Sequence, residues 1–288
     1  MSLISEPSKK EVSCRDKING SLPIVFRPLR WLKDRPIFCR SPSFHIVGFG
    51  FFAALGAVVS SVVFQVALLY RGLPEAQFMM AIVFLPVLIP CVWLFAKLLN
   101  LAFVGSEFIR HPRRHLAATG FNVHGGILGA ILWGWACGRL FGQPAFMLFD
   151  CLSVAALLGQ AIARVGCFNY GCCYGRPTDG PLAVHYTNPE SKIVRVNPSL
   201  HGIPVHPVQL YDSASSLLAF GILAMHLPLA LPHGYLSALF LLYFGINRLL
   251  LERLRGDLFV NYDPKGKAIR VTSRLSVGMV VAGAVLLW

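Results

Sequence analysis

The sequence predicts an all-α, polytopic membrane protein of about seven transmembrane helices, and three observations carry that prediction. Charged residues make up only 14% of the 288, against 55% hydrophobic, where a soluble domain holds roughly a quarter charged. Uncharged runs of membrane-spanning length recur along the chain. The Lys and Arg residues, 26 in all, crowd into alternate connections between those runs.

Residues 1–43 form a basic N-terminal tail with nine Lys or Arg. They are not a signal peptide, because they are polar and the apolar run behind them is too long for an h-region. The segment "PIVFRPLRWLKDRPIF" (Pro23 to Phe38) mixes arginine with aromatics, as in a segment lying on an anionic surface; a plain flexible tail is the alternative. Residues 44–288 are the membrane domain. Phe44 to Tyr70 holds 27 residues without charge, enough to cross ~30 Å of hydrocarbon at ~1.5 Å per residue. Phe78 to Ala96 gives a second span of 19 residues, and Ala117 to Gly138 a third of 22. The fourth, Leu140 to Ala163, is interrupted only by Asp150. An inter-span head loop, residues 164–206, follows it. Ser213 to Asn247 is uncharged for 35 residues and is broken by "PLALPHG" (Pro228 to Gly234), a tight hairpin between spans five and six. Leu275 to Trp288 is a short seventh span.

The tail and the second, fourth and sixth loops hold 24 Lys or Arg, whereas the first and third loops hold only Arg71 and Arg139. By the positive-inside rule this count puts the N-terminus in the cytoplasm. A basic surface on a membrane protein meets lipid phosphates, and nothing in the pattern points to nucleic acid. A transporter is disfavoured, since no pair of matching interrupted spans divides the chain in two halves.

Polar residues at membrane depth cost free energy, so each needs a partner or a task. Four clusters qualify. In "FNVHGGILGAILWGWACG" (Phe121 to Gly138), Gly125 with Gly129 and Gly134 with Gly138 allow close helix contact. His124 stands where that helix begins, a candidate general base or a helix-end residue bonded to a carbonyl. In "ARVGCFNYGCCYGRPTDG" (Ala163 to Gly180), Arg164 closes the fourth span and Arg176 follows a loop shaped by Gly166, Gly171 and Gly175. Guanidinium groups with loop amides suit a phosphate; the alternative for Arg164 is snorkelling at a helix end. In "VHPVQLYD" (Val205 to Asp212), Pro207 starts the fifth span and Gln209, Tyr211 and Asp212 supply donors and acceptors. In "NRLLLERLRGD" (Asn247 to Asp257), Arg248 and Glu252 lie four apart on one helix face. Arg253 and Arg255 read equally well as a helix leaving the bilayer.

Of eight cysteines, Cys91, Cys137 and Cys151 fall inside spans as packing residues. Cys167, Cys172 and Cys173 sit in the second cluster. Their spacing is poor for zinc, and adjacent cysteines splay, so no metal site and no cofactor is expected. Flanking arginines lower a thiol's pKa, which makes Cys167 and Cys172 candidate reactive thiols. A disulfide stays open if the loop faces the periplasm.

Taken together, the four clusters resemble the prolipoprotein diacylglyceryl transferases, seven-span enzymes of the bacterial cytoplasmic membrane. The family's HGG helix is matched by His124-Gly125-Gly126, its Arg-x-Gly-Asn-Phe core by Arg164 to Phe168, and its following Gly-Arg stretch by Tyr170 to Arg176. The His-Pro-x-Gln-Leu-Tyr-Glu motif is matched by His206 to Asp212, and the late Arg and Glu by Arg248 and Glu252. The resemblance implies transfer of a diacylglyceryl group from phosphatidylglycerol to the lipobox cysteine of a prolipoprotein signal peptide. The new bond is a thioether, and glycerol phosphate leaves. It further implies Arg164 and Arg248 as contacts of the leaving phosphate and His124 as base or substrate orienter. Gln209 and Tyr211 would position the donor and Arg176 would bind it, Gly171 and Gly175 would shape the loop, and Glu252 would hold Arg248. Partners are then phosphatidylglycerol, lipobox peptides and membrane lipids.

The sequence departs from the family pattern at several positions. Cys167 stands where the family has asparagine and Cys172 where it has glutamate; Asp212 replaces a Glu, Val47-Gly48 a Tyr-Gly pair, and Lys97 an Arg. They leave room for a related lipid-group transferase with another acceptor, or for a non-catalytic phospholipid-binding paralogue. The family also places its N-terminus and active face outside, against the charge count, and a periplasmic active face is the expectation adopted.

Overall fold

The computed structural model describes residues 32–33, 36–41, 44–72, 85–104, 113, 122–257 and 267–288. Most of the basic tail, the start of the second expected span and parts of three connections lie outside them. Seven long helices are present among the described residues: α1 (Gly48–Tyr70), α2 (Leu85–Val104), α3 (Val123–Phe141), α4 (Ala145–Tyr170), α6 (Val208–His226), α7 (Tyr235–Glu252) and α8 (Lys267–Leu287). Four of them, α1, α4, α6 and α7, are long and apolar enough to cross a membrane by themselves; α2 and α8 contain shorter apolar stretches, Pro86–Ala102 and Thr272–Leu287. The chain is thus an all-helical integral membrane protein with little strand.

Among the described residues the named strands form two small antiparallel pairs. Strands β1 (Ile37–Ser41) and β2 (Phe44–Val47) pair just before α1. Strands β3 (Val184–His185) and β4 (Pro204–Val205) pair within the connection between α4 and α6, together with a one-turn helix α5 (Lys192–Val196). This connection is a packed head with its own core, in which Phe168, Tyr174, Val184, Tyr186, Ile193 and Val205 are buried together.

The ends of the helices follow local chemistry. The Asn122 side chain caps α3 by accepting from the His124 amide at 2.9 Å. Gly171 ends α4 in the left-handed region at φ 74°, returning its N–H to the Cys167 carbonyl. Arg164 therefore does not close the fourth span as expected: α4 continues for six residues beyond it. The reason is tertiary. Phe168 and Asn169 are fully buried, the Asn169 amide donates to the Leu32 carbonyl at 2.6 Å, and Tyr186 donates to the Phe168 carbonyl at 3.0 Å. Gly166 likewise lies in the helix rather than in a turn, and faces Phe49 and Phe52 of α1.

Helix α4 is the central element. It packs along α1, α6, α7 and α3, while α2 pairs with α3 and α7 with α8. In lipid no hydrophobic effect pulls helices together, so association depends on close packing through small residues and on polar contacts. Gly56 of α1 faces Gly159 of α4 so closely that a β-carbon would lie 2.8 Å from the Gly159 carbonyl oxygen. Gly129 of α3 meets the Cys91 carbonyl of α2 at the same distance, with Gly125 one turn earlier against Phe95 and Ala96. That pair makes the helix contact its spacing predicts; Gly134 instead receives the Phe149 ring of α4. The outward faces carry exposed Val58, Val62, Trp93, Leu98, Leu218 and Met225, the surface that lipid covers.

Consecutive long helices run in opposite directions, so the bundle has two polar ends. At one, the fully buried carboxylate of Asp150 accepts from the amides of Gly234 (2.9 Å) and Ser237 (2.8 Å), and from the Ser237 hydroxyl (2.7 Å). Arg71, from the end of α1, neutralises it at 3.4 Å. This single acidic residue caps α7 and ties α1, α4 and α7 together. Asp150→Ala should strand Arg71 and the first turn of α7, costing on the order of 3–5 kcal/mol, as for a broken buried pair. We expect a large fall in the melting temperature of the detergent-solubilised protein, and an unchanged melt would refute this role.

Candidate active site

The other end gathers the four clusters. It holds the starts of α3, α6 and α8 and the ends of α4 and α7. A narrow cleft between α4, α6 and α7 is lined by Arg164, Cys173, Val208, Gln209, Asp212, Arg248, Leu251 and Arg255.

Arg164 projects from α4 and its Nε meets Asp212 Oδ2 at 2.6 Å. The other oxygen of Asp212 accepts from Gln160 of α4 at 3.1 Å and from Asn247 of α7 at 2.9 Å. One carboxylate thus fixes three helices around one guanidinium. Arg255, just past α7, makes a two-pronged pair with Asp257, Nε to Oδ1 at 2.9 Å and Nη2 to Oδ2 at 2.7 Å. Arg248 differs. Its Nε is 3.6 Å from Glu252 Oε1, too long for a hydrogen bond, and that carboxylate is already taken by the Thr272 (2.7 Å) and Ser273 (2.8 Å) hydroxyls of α8. Arg248 is therefore the most loosely paired of the three cleft arginines, and the one best able to accept an anion.

Gln209 donates its side-chain amide to the Cys172 carbonyl at 2.7 Å, and its Oε1 accepts no hydrogen bond among the described residues. Residues 171–176 are held on both flanks. The Gly175 amide donates to the His206 carbonyl (3.1 Å) and the Arg176 amide to the Leu254 carbonyl (2.8 Å), while Gly256 donates to the Tyr174 carbonyl (3.0 Å). A β-carbon on Gly175 would overlap His206, which is why only glycine fits there. In this loop Cys172 and Cys173 reach Cys167. The Cys173 thiol is held well below the ordinary thiol range by hydrogen bonds with Cys167 and Cys172, helped by Arg255 and Arg164 and opposed by burial.

The expected site residues separate into two groups. Arg164, Arg248 and Gln209 line the cleft. Glu252 sits behind Arg248 as expected. His124 does not line the cleft: its ring lies between Asn122 Oδ1 (3.2 Å from Nδ1) and Ser276 Oγ (3.3 Å from Nε2), edge-on to Phe244. Tyr211 packs against His206 rather than into the cleft. Arg176 is exposed, and its Nε donates to the Arg255 carbonyl at 3.4 Å. The arginine that joins Arg164 and Arg248 is instead Arg255, which the sequence left undecided, while Arg253 is exposed. Asp212 and Cys173, which the sequence placed in the clusters without a role at the site, line the cleft as well. Asp212 carried a signal, an acidic residue in the first turn of an apolar helix.

Residues 36–288 match the family model described as "Prolipoprotein diacylglyceryl transferase". The phosphatidylglycerol–prolipoprotein diacylglyceryl transferase of Clostridium tetani is 29% identical over 226 residues, 77% of this chain and 86% of the relative. The protein of the same name from Halalkalibacterium halodurans is 25% identical over 254 residues, covering 88% of this chain and 84% of the relative. That from Psychrobacter arcticus is 30% identical over 207 residues, 63% and 68% of the two chains.

The tight seat of Gly175 gives a test of how the loop is held. Gly175→Ala should destabilise by about 1–3 kcal/mol, the range for overpacking. Gly180→Ala, where the new methyl would meet only Thr178 Oγ1 at 3.3 Å, should melt close to the parent. Equal melting of the two variants would show that the loop is not seated as described.

Proposed function

The chain belongs to the prolipoprotein diacylglyceryl transferase family, and from that premise we propose that it transfers the diacylglyceryl group of phosphatidylglycerol to the lipobox cysteine of prolipoproteins. The observation that carries the reading is the cleft itself, where Arg164, Arg248 and Arg255 converge from two helices and a turn beside Gln209 and a cysteine. The sulfur–carbon bond forms as the carbon–oxygen bond to phosphate breaks, and glycerol phosphate leaves with a second negative charge. Preorganised guanidinium groups stabilise charge that develops in this way. Arg248 is placed to take the phosphate, since its own carboxylate is shared with two hydroxyls. Arg164, fixed by Asp212, is the rigid wall against which the donor is held. Gln209 Oε1 is a spare acceptor for a glycerol hydroxyl.

His124 acts in this reading as an orienter. Asn122 Oδ1 accepts the His124 amide, so it faces Nδ1 as an acceptor and favours the Nδ1–H tautomer. The imidazole then joins α3 to α8 behind Arg248 and Glu252. Tyr211, Gly171, Gly175 and Arg176 support the loop and the start of α6. Seven spans in the bacterial inner membrane, with this end periplasmic, fit a donor lipid and a signal peptide that meet at the outer leaflet. Helix α8 starts at the site and ends at the opposite face, so Trp288 is then cytoplasmic.

With phosphatidylglycerol and a lipobox peptide, the purified protein in detergent should add a diacylglyceryl mass to the peptide cysteine. Arg164→Ala should abolish the gain, and Asp212→Asn should lower turnover roughly a hundredfold by misplacing Arg164. No gain beside an active family control would overturn the reading. A reporter phosphatase fused after Trp288 should stay inactive; strong activity would reverse the orientation.

A further inference from the structure

Three sulfur atoms meet beside the cleft. The Sγ atoms of Cys167, Cys172 and Cys173 all lie within 4.8 Å of one another, and none is in a disulfide. Their spacing in sequence argues against such a meeting, because neighbouring side chains point apart along an extended chain. The backbone removes that obstacle. Gly171 at φ 74° folds the chain back on α4, so that the Gly171 and Cys172 amides both donate to the Cys167 carbonyl, at 3.0 and 3.1 Å. Cys173 then adopts φ 55°, the one non-glycine residue at positive φ among those described. A side chain in that region is strained, and surroundings that enforce it mark a place with a task. Here the bonds of residues 174–176 to the 204–206 and 254–256 segments enforce it.

Packing alone does not account for three thiols in this place. Cys137 and Cys151, by contrast, belong to the hydrophobic core of the bundle. This trio instead adjoins Arg164, Arg248 and Arg255, since Cys173 lines the same cleft.

We propose that Cys167, Cys172 and Cys173 form a three-thiolate site for a zinc ion whose fourth position receives the thiol of the acceptor cysteine. Zinc takes thiolate sulfur at about 2.3 Å in tetrahedral geometry, which sets sulfur–sulfur distances near 3.8 Å. The trio reaches that geometry with shifts of an ångström or less. Three protein ligands and one open position are the catalytic form of a zinc site, while four protein ligands are the structural form. Four thiolates leave the centre with two negative charges, which the neighbouring guanidinium groups offset.

This inference rests on the transferase reading and supplies the step that reading lacks, activation of the acceptor. A thiol that coordinates zinc is deprotonated outright, its proton passing to solvent. The sulfur lone pair then forms the bond to the glyceryl carbon. The carbon–oxygen bond to phosphate breaks with its electron pair, and glycerol phosphate departs as a phosphate monoester toward Arg248. The thioether is a weaker ligand than the thiolate, so product dissociates and the three cysteines are unchanged. No base near the cleft is then required, in keeping with His124 lying outside it.

The test uses the full-length protein purified without added metal. Elemental analysis should find about one zinc per chain, falling by tenfold or more in Cys172→Ser and Cys167→Ser. Replacement of zinc by cobalt should give sulfur-to-cobalt charge-transfer absorption, and a lipobox peptide should intensify it while the same peptide with serine for cysteine leaves it unchanged. A metal-free protein that gives no such band with cobalt overturns the inference, as does a Cys172–Cys173 or Cys167–Cys172 disulfide in the isolated protein. Full transfer activity in the triple Cys→Ser variant overturns it and leaves the transferase reading intact. Conversely, a cobalt spectrum that responds to the peptide thiol, without any diacylglyceryl gain on the peptide, supports the site and refutes the transferase reading.

Discussion

The ion pair between Arg164 and Asp212 is the constraint on which the site depends. A guanidinium two turns from the end of a membrane helix is costly unless it is neutralised and hydrogen-bonded. Asp212 meets that cost at 2.6 Å, and its remaining oxygen draws in Gln160 and Asn247. The same carboxylate therefore sets the register of α4, α6 and α7. Arg248 lies one residue after Asn247 on α7, so fixing Asn247 also fixes the angle from which Arg248 enters the cleft. A buried charge that would be a liability in isolation becomes the joint of the assembly.

The two polar ends are built to different rules. At the Asp150 end the carboxylate accepts from two backbone amides, a hydroxyl and Arg71. At the Arg164 end three arginines face three carboxylates, yet the pairs are graded. Arg164 and Arg255 are tightly held, and Arg248 is set back from Glu252 by 3.6 Å because α8 hydroxyls occupy that carboxylate. Saturated polar clusters rigidify, and incompletely paired ones are where substrates bind.

The head loop adds what the helices lack. Residues 171–176 are stitched between the approach to α6 and the turn after α7, so a segment rich in glycine and cysteine is held as firmly as a strand. Its rigidity matters because Cys173 lines the cleft and its neighbour Cys172 offers its carbonyl to Gln209. Cys167, at the end of a helix, and Cys172 and Cys173, in the loop beyond it, share one small volume in space.

The sequence by itself determined the class of the molecule, since long uncharged runs admit little besides membrane helices, and it identified the four clusters through residues such as Arg164, Gln209, Arg248 and Glu252. Turn chemistry at Gly171 and the hairpin before Gly234 was equally legible, because it is local. Tertiary structure alone decided the rest. Helix α4 runs past Arg164 because Asn169 and Phe168 find partners far away in the chain. His124 leaves the cleft because Asn122 and Ser276 hold it elsewhere. Arg255 enters the cleft and Arg176 does not, although both follow the end of a membrane helix. Periodicity and composition report how each segment meets its solvent; which charges face one another depends on contacts between segments tens of residues apart, and no local signal encodes them.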